Sequence, residues 1–115
     1  MNKALLFSDM DVAHKVLAIE GTSKRDMASV KALGRKVKGF SDDVWVQHRD
    51  RIVTEGTVHK FRQNPDLRAK LFATGDTMIA EASPFDRIWG IGDSEEKAIS
   101  RSGDQWGMNL LGRRW

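Results

Sequence analysis

The sequence predicts a mainly α-helical domain with one short strand, so α+β only in a minor degree. Three observations carry that prediction. Helix-start signals recur along the chain: Ser23 with Asp26, Ser41-Asp42, Asn64-Pro65 and Asp93 with Glu96. The apolar residues behind them repeat at helical spacing, not at the period of two of a half-buried strand. Only Thr77–Glu81 alternates, and weakly.

In chain order, Asp9–Ile19 reads as a first helix, with Val12, Val16 and Leu17 inward and Gly21 as its stop. A second starts at the Ser23 cap and carries Met27, Val30, Leu33 and Val37 as an apolar stripe. Asp42–Phe61 reads as a long third helix capped by Ser41 or Asp42. It places Trp45, Ile52 and Gly56 on one face, with His48 and His59 at its edge. Pro65, after the Asn64 cap, takes the first position of a short helix through Phe72, because proline needs no N–H there. Gly75-Asp76 is a turn, Thr77–Glu81 the candidate strand, and 82–93 a loop punctuated by Pro84, Gly90 and Gly92. A short helix opens at Asp93, Gly103-Asp104 breaks it, and Met108–Leu111 begins a last one. With no repeat, linker or low-complexity stretch, residues 1–115 read as a single domain.

Composition narrows the function classes. The chain has no cysteine, which excludes disulfide scaffolds, thiolate zinc sites and cysteine nucleophiles. Hydrophobic residues at 40% and charged residues at 30% place it among folded globules rather than disordered chains. The Ala4-Leu5-Leu6-Phe7 run is too short for a signal or a membrane span. An intracellular, cytoplasmic location without membrane partners is therefore the expectation.

The net charge is +3, and the excess is local. Lys24, Arg25, Lys31, Arg35, Lys36 and Lys38 face only Asp26 within 24–38. On a helix over that stretch, Lys24, Lys31, Arg35 and Lys38 fall within about 60° of one another. That flank is either a solvated face or a wall that holds phosphate oxygens by charge-assisted bonds.

Several motifs fail on spacing. Gly90-Ile91-Gly92 lacks the third glycine of a dinucleotide fingerprint and follows no strong strand. Ser94-Glu95-Glu96-Lys97 has the Ser-x-x-Lys spacing of penicillin-binding enzymes, but Ser94 stands where a helix cap is needed. His14, His48 and His59 have no metal-ligand spacing, so no metal site is expected. The loop 82–93 differs, because Asp86, Arg87 and Trp89 lie between Pro84 and Gly90. A carboxylate, a guanidinium and an indole on one loop suit a binding or catalytic site. They also suit a packed Trp89 and an Asp86 that caps a turn and pairs with Arg87.

A resemblance rests on ordered landmarks. These are Lys3-Ala-Leu-Leu-Phe-x-Asp9, Leu33-Gly-Arg-x-Val-x-x-Phe40, Trp45-x-x-x-Arg49, Lys60-Phe-x-Gln-Asn64 and Leu71-x-Ala-Thr-Gly-Asp76. Two more specific blocks follow: Glu81-Ala-Ser-Pro-x-Asp-x-x-Trp-Gly-x-Gly92 and Gly107-x-Asn-Leu-Leu-Gly112. Together they resemble the NADAR, or YbiA-like, family over nearly the whole chain.

The resemblance implies a compact, mainly helical fold with a few short strands, and hydrolysis of N-glycosidic bonds. The implied substrates are small phosphorylated ribosyl compounds, either early intermediates of riboflavin synthesis or ADP-ribosyl groups, including those on nucleic acid. It assigns catalytic positions to Trp45 and Asp86. For a transition state with positive charge on the ribose, Asp86 is the stabilising carboxylate. Trp45 or Trp89 can stack on the departing base, and Lys3, Arg35 or Lys36 can hold a phosphate. Such hydrolysis requires neither metal nor redox cofactor. The resemblance also implies a strand-rich start and a closing helix that residues 1–115 lack. A family glutamate, in a Glu-x-Tyr segment, falls upstream of Met1. Two classes therefore stay open: a hydrolase, and a non-catalytic or degenerate module that binds NAD or ADP-ribose groups through Trp45 and the basic flank.

Overall fold

The structure is a computed structural model describing residues 1–101 and 103–114. Among those residues the helices are α1 (Asn2–Leu6), α2 (Met10–Leu17), α3 (Lys24–Arg35), α4 (Asp42–Gln63), α5 (Pro65–Phe72) and α6 (Glu95–Ser100). Single 3-10 turns occupy Gly103–Gln105 and Gly112–Arg114. The mainly helical class holds. No strand forms among the described residues. The chain divides into two compact units, Met1–Val53 and Thr54–Trp115, and the boundary falls inside α4.

In the first unit α1 packs on α2 and α2 on α3. Ala4, Val12, Ala13 and Val37 form its buried cluster, with Phe7, Val16 and Leu33 packed against it. The short apolar run at the start thus forms α1, with Ala4 turned into the core. Asp9 caps α2: its Oδ1 accepts the Val12 N–H at 3.1 Å and its Oδ2 accepts the Lys38 N–H at 2.8 Å. Those two bonds, Lys38's first, hold its carboxyl below the usual carboxylate range. Helix α2 stops at Ala18, before Gly21, and Leu17 is 66% exposed rather than inward. At 100° per residue Leu17 lies roughly 90° from the centre of the Val12–Ala13–Val16 stripe, which accounts for its exposure.

Helix α3 opens with the expected capping box. Ser23 Oγ accepts the Asp26 N–H at 3.2 Å, and the Asp26 carboxylate accepts the Ser23 N–H at 3.0 Å. The Ser23 bonds to the Asp26 carboxylate hold it, too, below the usual range. The helix ends at Arg35, with Lys36 as its C-cap. Lys38 is thus off the helix, because its N–H is turned to Asp9.

In α4 the half-buried residues do not keep to one face. Trp45, Arg49 and Ile52 share one side in the first half, whereas Thr57, Val58 and Phe61 are half-buried in the second. The latter lie roughly 120–220° around the helix from Trp45. Gly56, on the same face as Trp45 and Ile52, is exposed with open space around it.

The second unit is organised less by helices than by loops. Pro65 takes the first position of α5 as expected, but the Asn64 side chain donates back to the Lys60 carbonyl at 2.7 Å instead of capping. Helix α6 starts at Glu95 with Ser94 as its cap, not at Asp93. Asp93 is instead buried, and Arg101 Nη1 lies 3.1 and 3.2 Å from its two oxygens. The expected helix at Met108–Leu111 does not form. Its amides are used elsewhere, as described below. No helix of the described residues is long and apolar enough to cross a membrane.

Candidate active site

In the second unit the two most specific sequence blocks are one physical object. Five consecutive backbone N–H groups are donated to five consecutive carbonyls of the Asp86 loop. Gly107 donates to Ile91 at 2.7 Å, Met108 to Arg87 at 2.7 Å, and Asn109 to Gly90 at 3.1 Å. Leu110 donates to Ile88 and Leu111 to Trp89, each at 3.1 Å. Amides aimed sideways at a loop cannot make helical i→i−4 bonds, and this prevents the helix expected at 108–111. The Ile91 N–H donates to the Glu81 carbonyl at 2.9 Å and closes the loop's neck. The neck is tight: a Cβ on Gly90 would lie 2.7 Å from the Glu81 oxygen and 2.9 Å from the Asp86 oxygen.

Asn109 is buried and has φ +48. Its Nδ2 donates to the Ile79 carbonyl at 2.9 Å, and its Oδ1 accepts the Glu81 N–H at 3.0 Å. This pair of bonds is what a neighbouring strand would offer 79–81. One side chain meets the need of the expected strand, and the segment is not part of a sheet. A Cβ on Gly112 would collide with the Ile79 carbonyl and with the Asn109 amide.

The clamped loop presents Asp86, half-buried. Its Oδ1 accepts the N–H groups of Ile88 at 3.0 Å and Trp89 at 2.9 Å. This Asx turn fixes the carboxyl plane. Oδ2 takes no hydrogen bond among the described residues. The two readings of Asp86 are therefore compatible, since one oxygen caps a turn and the other is open to chemistry. Arg87 does not pair with it: Nη2 donates to the Gln105 carbonyl at 3.2 Å, and the side chain lies over Gly92. Trp89 is half-buried beside Asp86 on the same turn.

In the first unit Lys3 and Trp45 come together. Lys3 Nζ donates to the Gly34 carbonyl at 2.8 Å, near the end of α3. It also stands 4.4 Å from the Phe40 ring centroid and 5.7 Å from that of Trp45. Phe7 packs edge-on to Phe40 at 5.3 Å. Trp45 sits one turn into α4, its N–H bonded to the Ser41 carbonyl at 2.9 Å. Arg35 and Lys36 follow Gly34 directly, and both are exposed. The expected basic flank thus keeps Lys24, Lys31 and Arg35 on α3, with Arg35 next to the Lys3 anchor at Gly34, and loses Lys38 to the turn after the helix.

In the sequence Asn109 and Gly112 stand as motif letters without a role. Their signal was the motif itself: a glycine and an asparagine at fixed offsets mark a close backbone approach. Asp9 stands in the sequence as a helix start and as a motif letter, and its second bond joins residues too distant for spacing to reveal. Among the described residues no three His, Cys, Asp or Glu side chains lie together in a way that could hold a metal ion.

The chain is similar to several known proteins. It is 44% identical over 113 residues to an N-glycosidase of Acanthamoeba polyphaga mimivirus, covering 97% of this chain and 64% of that protein. It is 40% identical to the protein irg-1 of Caenorhabditis elegans, covering 99% of this chain and 50% of the relative. A riboflavin biosynthesis protein of Vibrio vulnificus is 33% identical over 96% of this chain and 26% of its own length. The chain thus spans between about a quarter and two thirds of these relatives. Residues 1–114 match the NADAR domain. The loop that fixes Asp86 and the Gly-x-Asn-Leu-Leu-Gly clamp that holds it therefore stand within a domain of known kind, and the chain belongs to the NADAR family.

Proposed function

We propose that this chain carries N-glycosidase chemistry, the hydrolysis of the N-glycosidic bond of a phosphorylated ribosyl compound. The observation that carries this reading is Asp86, with one oxygen held by two backbone amides and the other unengaged. Cleavage builds positive charge on the ribose, and a carboxylate fixed in advance stabilises that charge without reorganising. Asp86 Oδ2 also orients the attacking water and accepts its proton. The water oxygen bonds to the anomeric carbon, and the base departs with the electrons of the broken bond.

The remaining roles follow from side-chain chemistry. Trp45, and on its own loop Trp89, offer flat apolar faces for a base. Arg35 and Lys36, both exposed, suit phosphate oxygens. Lys3 spends one ammonium donor on Gly34 and keeps others for a ligand oxygen. No step here draws on a metal or cofactor. Relatives named as an N-glycosidase and as riboflavin biosynthesis proteins support hydrolysis, with early riboflavin-pathway ribosyl phosphates as substrates. ADP-ribosyl groups, free or on nucleic acid, are the competing class.

The test is base release from an N-ribosyl phosphate and from ADP-ribosyl guanine, comparing the chain with Asp86→Asn. Hydrolysis that falls at least about 100-fold in the variant supports the reading. Equal rates would remove Asp86 from its role. Tight binding of either ligand without base release would replace the hydrolase with a binding module.

A further inference from the structure

Both ends of the Asp86 loop meet at a single buried residue. Asn109 holds the entry strand-like segment through Ile79 and Glu81, and its own backbone N–H holds the exit at Gly90. Glu81 and Ile91 then close the neck at 2.9 Å. Everything between these points, Asp86 included, is a loop pinned at its ends by Asn109 and along its length by the amides of Met108, Leu110 and Leu111. Within the loop the Asp86 carboxyl is oriented only by the Ile88 and Trp89 amides. The carbonyls of those same two residues accept from Leu110 and Leu111, the residues that follow Asn109.

From this geometry we infer that Asn109 is a positioning residue for the reaction, acting on Asp86 through the loop neck. The inference rests on the role proposed above for Asp86. The side chain suits the task because one amide supplies a donor and an acceptor side by side. Its left-handed backbone is one that asparagine adopts at little cost. A displacement of the neck by a fraction of an ångström moves the carboxylate off its productive geometry, and rate is sensitive to that. Substrate contacts made elsewhere are untouched. The signature is therefore a fall in kcat with KM preserved.

Two variants separate this from a plain structural role. Asn109→Gly keeps the left-handed backbone and the bond to Gly90 while deleting the side chain that bonds Ile79 and Glu81. Its kcat falls at least about tenfold with KM unchanged, and melting shows a folded chain. Asn109→Asp is nearly isosteric. As a carboxylate it has no donor for the Ile79 carbonyl. Once protonated it has both a donor and an acceptor again. The ratio of its kcat to that of the parent chain therefore rises at least about fivefold from pH 8 to pH 5. Glu81, at the neck of the loop, and Arg113, whose N–H meets the Asn109 carbonyl at 3.0 Å, are the ionisable residues bonded to it by backbone. Both are present in the parent chain, so the ratio cancels any contribution from them.

Amide exchange reads the same coupling without any substrate. In Asn109→Gly the Ile88 and Trp89 amides lose protection at least about tenfold, while the α5 amides keep theirs. Unchanged protection of Ile88 and Trp89 would overturn the inference. So would a flat pH ratio or a kcat equal to the parent's. If the parent chain itself releases no base, the hydrolase reading fails, and amide exchange alone decides whether Asn109 sets the loop.

Discussion

The Lys38 N–H donates to Asp9 Oδ2 at 2.8 Å, joining the turn after α3 to the cap of α2 across 29 residues. With Val12 on Oδ1, the carboxylate is bound on both oxygens, and its folded pKa lies below the ordinary 3.8. A depressed carboxyl stabilises the fold above the unfolded value and loses that contribution as pH falls through the folded value. The first unit should therefore begin to lose stability below about pH 4. Thermal melts from pH 6 to pH 2 will show a falling midpoint. Asp9→Asn flattens that decline and lowers the midpoint at pH 6, because only one of its two terminal atoms still accepts.

Asp86 should divide its two duties between two substitutions. Asn keeps an Oδ1 acceptor for Ile88 and Trp89, so Asp86→Asn should melt within a few tenths of a kcal/mol of the parent chain. Asp86→Ala leaves those two amides without their acceptor and should cost about 1–2 kcal/mol in denaturant titration. Both lose the open carboxylate and should lose hydrolysis alike.

Gly112 has no room for a side chain. Gly112→Ala drives a methyl against the Ile79 carbonyl and the Asn109 amide, and should cost about 1–3 kcal/mol. Gly56→Ala is the control, since open space surrounds that helical glycine. It should raise stability by about 0.5–1 kcal/mol.

The basic residues after Gly34 should show their purpose in ligand discrimination. Arg35→Ala should weaken a phosphorylated ribosyl ligand about tenfold, and its dephosphorylated form hardly at all, when measured by calorimetry. An equal loss for both would make Arg35 part of a plain surface.

Lys3 should reveal its packing role independently of any ligand. Lys3→Met removes the bond to Gly34 and the ammonium from the Phe40 and Trp45 rings, and should cost about 1 kcal/mol.

What was legible in the sequence was what local chemistry decides. The Ser23–Asp26 box and Pro65 each fix a helix start within a few residues, and the structure places both as expected. The loop carrying Asp86 and Trp89 was legible too, through Pro84 and the paired glycines. What failed depended on distant partners. Thr77–Glu81 alternates like a strand, but Asn109, 28 residues beyond Glu81, satisfies its backbone. Met108–Leu111 has helix formers, but its amides belong to residues 87–91. Leu17 and Gly56 were placed by extending one stripe along a whole helix, and the half-buried face of α4 turns partway along it.

The five amides from Gly107 to Leu111 also impose an order of events. A ribosome releases the Asp86 loop well before it releases its donors. Through that interval the carbonyls of 87–91 have only water to bond, and the carboxylate has no fixed direction. The loop can set only once residues 107–111 have emerged, so a chain stalled at α6 would carry every residue of the loop and lack its clamp.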